Sequence, residues 1–262
     1  MAFLPIVVFL GGLLVGSFLN VVILRINTGR SVVTGRSACA RCNRTLAWYE
    51  LIPVVSFLGL RAKCRTCRQG ISFQYPLVEL CMGIYAVLAY TKYVLGGYFT
   101  TSAWIAFAFA SVVAAMMIVI TVYDLRHKVI PDAAVYPFIL LSFASIIWRA
   151  AGGDFDAGKA IVDGVVVALP FFLLWYFSKG RLMGFGDVKL MLGIGWLVGL
   201  VMGYSVIVFA FWIGAVVGLV LIALSRKYGM KSQIPFGPFL ILGLFIVTLW
   251  GVTLETLFPL LW

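Results

Sequence analysis

The sequence predicts an all-α, polytopic membrane protein of about eight transmembrane helices with a small cytoplasmic zinc-binding loop domain. Three observations predict it. Of 262 residues, 63% are hydrophobic and only 11% charged, apolar runs of spanning length recur along the chain, and the basic residues collect in alternate loops. An ordinary soluble domain carries about 25% charged residues, and no soluble core could hide this much apolar surface.

A spanning helix needs about 20 apolar residues. Runs of that kind lie at about 3–24, 77–95, 102–123, 133–149, 160–178, 187–203, 205–224 and 237–258. The division near Gly203 cuts a nearly continuous run from Leu190 to Leu224, and rests on charge because it returns both basic flanks to one side. The first run has no basic stretch before it and no small-x-small cleavage site after it. It is therefore expected to be a retained helix, not a signal peptide. The expected organisation is a first transmembrane helix at 1–25, a four-cysteine loop domain at 26–76 and a seven-helix membrane domain at 77–262.

Cytoplasmic loops carry an excess of Lys and Arg. The loop after the first span holds nine basic residues, and the connections around Arg126 and Lys128, around Lys179, Arg181 and Lys189, and around Arg226, Lys227 and Lys231 bring the total to 17 of 20. The alternate loops hold only Lys92, Arg149 and Lys159, together with Asp154 and Asp156. Both termini are thus expected outside and the four basic loops in the cytoplasm. Topology and anionic membrane lipids account for the net charge of +11, so no nucleic acid is expected as a partner.

Cys39-Ala-Arg-Cys42 and Cys64-Arg-Thr-Cys67 are separated by 21 residues. Two such pairs can place four sulfurs around one tetrahedral zinc ion, and the surrounding arginines favour thiolates. A redox pair is the competing reading, which a reducing cytoplasm disfavours. Cys81, inside the second run, reads as a small packing residue.

Nine acidic residues occur in the chain, and three of them, Asp124, Asp132 and Asp187, fall at the basic face. Asp124 ends the third run and Asp187 opens the sixth, in Gly184-Phe185-Gly186-Asp187-Val188-Lys189. Asp132 follows Pro131 and reads as a helix cap or a support. An ionisable residue at membrane depth is a functional hypothesis by default. The bland alternative pairs Asp187 with Lys189 and Asp124 with Lys128. Gly184 and Gly186 allow a close backbone approach beside the acid, which suits an extended peptide. Two carboxylates brought together cannot both ionise easily, and one can activate water while the other holds a proton. His127, the single histidine, has no serine or cysteine motif around it and reads as an interfacial residue.

With these motifs the chain resembles the bacterial type IV prepilin peptidase family, also called prepilin leader peptidase/N-methyltransferase. The resemblance runs through Gly16-Ser17-Phe18-Leu19-Asn20-Val21 with Arg25, the paired cysteine motifs, Ile52-Pro53 with Ser56, and Gln74-Tyr75-Pro76-Leu77-Val78-Glu79. It continues through Asp124, Ile130-Pro131-Asp132 and Gly184 to Lys189. Arg41 replaces a common proline, and Tyr49-Glu50-Leu51 departs from a common Tyr-Asp-Asn. The resemblance implies an eight-spanning aspartyl peptidase of the bacterial inner membrane with Asp124 and Asp187 catalytic. Gly184, Gly186, Lys189 and Asp132 would support them. The implied activity is removal of the leader from prepilins or pseudopilins, followed by N-methylation with S-adenosylmethionine. Asn20, Arg25 and Glu79 are candidates for the methyl-donor site, Asn20 equally for a helix–helix hydrogen bond. A peptidase without methyl transfer, an ion-coupled transporter using the two aspartates, and a zinc-loop scaffold without chemistry are the alternatives. No inverted repeat supports the transporter.

Overall fold

The computed structural model describes residues 3–96, 99–153, 155–224 and 234–257. Asp154 and the basic residues Arg226, Lys227 and Lys231 lie outside the described residues. Among the described residues the regular secondary structure is helical, and the stretches 26–47 and 60–73 are loop. Among the described residues the only extended pairing is two isolated bridges, Ala38 with Thr45 and Lys63 with Gly70.

The helices, in order, are α1 (Leu4–Arg25), α2 (Val55–Gly59), α3 (Gln74–Ala89, continued by a π-helical turn Tyr90–Leu95), α4 (Thr101–His127), α5 (Asp132–Ala150), α6 (Ala157–Ser178), α7 (Phe185–Val198), α8 (Leu200–Leu224), α9 (Gly237–Trp250) and the short α10 (Leu254–Leu257). Six of them, α1, α3 with its π turn, α4, α5, α6 and α8, are long and apolar enough to cross a membrane. The chain is a multi-pass membrane protein. The two remaining expected spans correspond to α7 and α9, each of 14 residues. At 1.5 Å per residue each is about 21 Å long, short of a hydrocarbon core of about 30 Å.

Two boundaries differ from the sequence expectation. The break between the sixth and seventh spans falls at Gly199, not near Gly203. Gly199 has φ +80° and ψ −174°, a region essentially reserved for glycine. Gly203 lies inside α8, where a Cβ would come within 2.7 Å of Val167. The last span stops at Trp250, because Gly251 takes a left-handed conformation and closes the helix end.

The chain divides into two compact units, residues 1–119 and 120–262. In the first, α1 packs along α3. Gly12 and Gly16, four residues apart, let the backbones meet: a Cβ on Gly12 would stand 2.7 Å from Gly83 Cα, and one on Gly16 2.6 Å from Glu79 Cα. Small residues at this spacing are how helices associate where lipid removes the hydrophobic drive.

In the second unit α7 is central and packs against α5, α6, α8 and α9. Its closest neighbour is α6, through Gly164 and Gly195. A Cβ on Gly195 would lie 2.8 Å from Gly164 Cα, and one on Gly164 would run into the Trp196 ring at 2.0 Å. Gly164→Ala should therefore lower stability by about 1–3 kcal/mol through overpacking. Gly218→Ala, where a Cβ meets nothing within 4 Å, should be neutral or slightly stabilising through helix propensity. Thermal unfolding of the two detergent-solubilised variants checks this.

Candidate active site

The second unit gathers three helix ends around Ile130. α4 carries Asp124 in its last turn, only 4% exposed although its side chain is ionisable. The chain then turns through 128–131 and buries Ile130 before α5 begins at Asp132. On Ile130 rests the start of α7, since a Cβ on Gly186 would come within 2.8 Å of Ile130 Cβ. On it also rests the start of α9, since a Cβ on Gly237 would stand 3.5 Å from Ile130 Cδ1 and 2.7 Å from Asp124 Oδ2. Asp187, in the first turn of α7 and half-buried, lies close enough to Asp124 to feel its charge. The two carboxylates separated by 63 residues in sequence thus meet in one small site.

Each acid faces backbone amides at a helix start. The amide of Gly237, first residue of α9, points to the Asp124 carboxylate, and the amides of Gly184 and Asp187 attend the Asp187 carboxylate. Helix N-termini favour negative charge at these positions. The basic neighbours do not neutralise the acids. Lys189 Nζ is ion-paired to Asp132 Oδ1 and sits 4.8 Å from the Tyr136 ring centre and 5.7 Å from that of Phe185. Among the described residues no ion pair joins Asp124 or Asp187 to a cation. The bland pairing of Asp187 with Lys189 and Asp124 with Lys128 is not what forms. Lys189 and Asp132 brace one another across α5 and α7.

The two glycines before Asp187 differ. The space beside Gly186 is filled by Ile130, which gives it a packing reason and not an open backbone. A Cβ on Gly184 would meet the Asp187 carboxylate only at 3.5 Å, and Gly184 is exposed, so its backbone remains accessible beside the acid. Phe185 leans on Trp175 of α6, with ring centres 4.8 Å apart. His127 is exposed, its ring tilted 33° against that of Tyr123 with centres 4.2 Å apart, and bonded to the Tyr123 carbonyl, as suits an interfacial residue. Gly237 escaped the sequence reading. Its signal was Pro235-Phe236-Gly237-Pro238, a turn opening a helix with proline in its first positions.

The four cysteines lie in the first unit. Two turns of the same design hold them. In one, the Cys39 amide donates to Arg44 O and the Asn43 amide to Cys39 O, at 3.0 and 2.9 Å. In the other, the Cys64 amide donates to Gln69 O and the Arg68 amide to Cys64 O, at 2.8 and 3.0 Å. Asn43 and Arg68 both take positive φ to close these turns. The geometry aims backbone amides at the first sulfur of each pair. The amides of Cys67 and Thr66 pull the Cys64 thiol down to about 6, and those of Cys42 and Arg41 pull Cys39 down. All four sulfurs fall within 4.8 Å of one another, with Cys39 and Cys67 at 3.7 Å. A tetrahedral ion with bonds of about 2.3 Å requires sulfurs about 3.8 Å apart, so the cysteines form a candidate metal site. Arg44 bonds buried Glu50 at 2.6 Å and holds its carboxyl below the usual range.

The candidate methyl-donor residues have structural partners. Asn20 is buried, donates to Gly16 O and to Tyr75 O at 3.1 Å, and accepts from Gln74, so it forms the helix–helix bond between α1 and α3. Arg25 donates to the carbonyls of Ser31, Thr34 and Arg36 and shapes the loop after α1. Glu79 is buried and accepts the Val54 amide at 2.8 Å and the Ser17 hydroxyl.

Comparison with known proteins adds to this geometry. Residues 10–93 match the bacterial peptidase A24 N-terminal domain, and residues 111–219 match the type IV leader peptidase family. Relatives named prepilin leader peptidase/N-methyltransferase include those of Aeromonas salmonicida, 30% identical over 93% of this chain and 90% of the relative, and Burkholderia pseudomallei, 31% identical over 88% and 81%. The Pseudomonas aeruginosa relative is 30% identical over 92% and 88%. No solved structure matches the chain.

Proposed function

The chain belongs to the type IV leader peptidase family, and from that premise we propose that it cuts prepilins or pseudopilins with Asp124 and Asp187 at the cytoplasmic face of the bacterial inner membrane, then methylates the new N-terminus. The observation that carries the peptidase reading is the meeting of the two acids around Ile130, without a neutralising cation among the described residues.

The ionised member of the pair takes a proton from a water as it attacks the scissile carbonyl. The protonated member polarises that carbonyl and then gives its proton to the departing amine. The two groups titrate as a unit, so neither owns a separate constant. Lys189 and Asp132 hold the start of α7 in place, and the exposed Gly184 leaves room for the substrate backbone. The basic leader stays in the aqueous phase while the apolar pilin segment lies among the spans.

Cys39, Cys42, Cys64 and Cys67 hold one zinc ion, whose role is to fold the loop. S-adenosylmethionine, when bound, supplies the methyl group; Glu79, Asn20 and Arg25 are the candidates for its site, each also bearing the structural role described above.

The two activities occupy different parts of the sequence, so they should separate. A peptidase-inactive Asp124→Ala chain should still transfer labelled methyl groups to a pilin already trimmed of its leader. Complete loss of transfer in a folded variant would argue for one shared site. Detergent-solubilised chain given intact prepilin and labelled methyl donor tests the whole reading: leader loss should precede label on the trimmed product.

A further inference from the structure

We propose that the segment Trp48–Leu58 of the cysteine loop is an interfacial element that seats its outer apolar face in an anionic phospholipid surface. Within this segment Glu50, Pro53 and Phe57 point inward and are buried. The opposite face should be polar if it met only water. Instead it presents Trp48, Leu51, Ile52, Val55 and Leu58, with Trp48 75%, Val55 63% and Leu58 68% exposed. They belong to a 3-10 turn (Trp48–Leu51), the residue that follows it, and α2, so exposed apolar side chains recur along the whole segment. Phe73, 76% exposed, packs edge-on against Phe57 and extends the patch. An exposed apolar patch of this kind marks a docking surface.

Depth and charge identify the occupant as membrane, and backbone strain shows that the segment is held in place. First, depth. The Val54 amide donates to Glu79 Oε2 at 2.8 Å, and Glu79 lies five residues into α3, about 7.5 Å from its start. Ser17 of α1, eight residues before that helix ends, bonds the same carboxylate. The loop thus leaves the inner ends of two spans and returns to lie beside them. Second, strain. Val54 is β-branched yet holds φ +61°, a rare conformation for such a residue. The bond to Glu79 fixes it, and α2 starts at the next residue. Third, charge. Residues 26–73 contain eight basic side chains and one acid, Glu50, which Arg44 already pairs. An apolar segment in a loop with this excess of cations, with Arg65 over the ring of Tyr49 next to Trp48, suits the boundary between acyl chains and anionic headgroups.

The test uses the full, zinc-loaded chain in phosphatidylglycerol-containing vesicles and needs no cleavage, so it stands or falls apart from the peptidase reading. The fluorescence difference between the unaltered chain and Trp48→Phe isolates Trp48. Phospholipids brominated high on the acyl chain should remove most of that difference, while aqueous iodide should leave it. Leu58→Trp added to Trp48→Phe gives a second probe and should behave alike. Unaltered zinc content checks folding. Quenching by iodide with no effect of bromolipid overturns the proposal. Shielding from both quenchers that appears only when prepilin is added assigns the face to substrate, and shielding that follows protein density assigns it to a second copy; either overturns the lipid assignment.

Discussion

Asp124→Asn and Asp187→Asn should each lower leader cleavage by about 10²- to 10⁴-fold, the range general acid–base catalysis contributes. Asparagine keeps the size of the side chain and its place against the amides at the starts of α7 and α9, but it can neither take a proton from water nor return one. The effect should appear in turnover, with zinc content and thermal stability close to those of the unaltered chain. Asp132→Asn removes only the partner of Lys189, and the Asp132 carboxylate is 61% exposed. Exposed pairs contribute about 0–1 kcal/mol, so cleavage should fall less than about tenfold. A nearly full rate for either Asp124→Asn or Asp187→Asn would falsify the dyad, and an inactive Asp132→Asn beside it would move the catalytic role to α5.

Replacing Cys64 and Cys67 with serine should remove zinc altogether and unfold the loop between α1 and α3. That loop has few buried apolar side chains of its own, Phe57 and Cys64 among them. A zinc ion bound there would therefore supply much of its folding free energy, apparent values for such sites being about 10–16 kcal/mol. Metal analysis of purified chain should give about one zinc per chain, and limited proteolysis should cut the variant between α1 and α3 first. Zinc binds thiolates, so acid competes with it: retention should be complete at neutral pH and fall as the pH drops and the sulfurs take up protons. The aspartates need no metal, so any loss of cleavage in the cysteine variant reports lost support for the loop. Native chain lacking zinc and carrying a disulfide between these cysteines would contradict the assignment.

Much of this was legible because membrane insertion writes strong, local signals. Apolar runs of spanning length announced the helices before any contact was known. The cysteine spacing announced the four-sulfur cluster in the same way. Asp124 and Asp187 stood out because an acid at a helix end near the bilayer is costly and therefore conspicuous. What stayed hidden was pairwise. Nothing local in the sequence says that Lys189 chooses Asp132 over Asp187, since that depends on how α5 crosses α7. Nor does it say that Ile130 fills the space beside Gly186 while Gly237 brings a third helix end to Asp124. The break at Gly199 was misplaced to Gly203 because several glycines punctuate one apolar run, and only the backbone conformation shows which one cannot be replaced. Gly12 and Gly16 carried a readable four-residue spacing, but their partners on α3 emerge only from packing.

The decisive measurement is the mass of a prepilin after incubation with purified, zinc-loaded chain, read beside the chain in which Asp124 and Asp187 are both asparagine. The expected result is one cut, releasing the basic leader from the pilin, with the unaltered chain, and intact prepilin with the doubly substituted one. Intact prepilin with the folded, unaltered chain, or the same cut made by the chain lacking both carboxylates, would contradict the assignment of Asp124 and Asp187 as the peptidase pair.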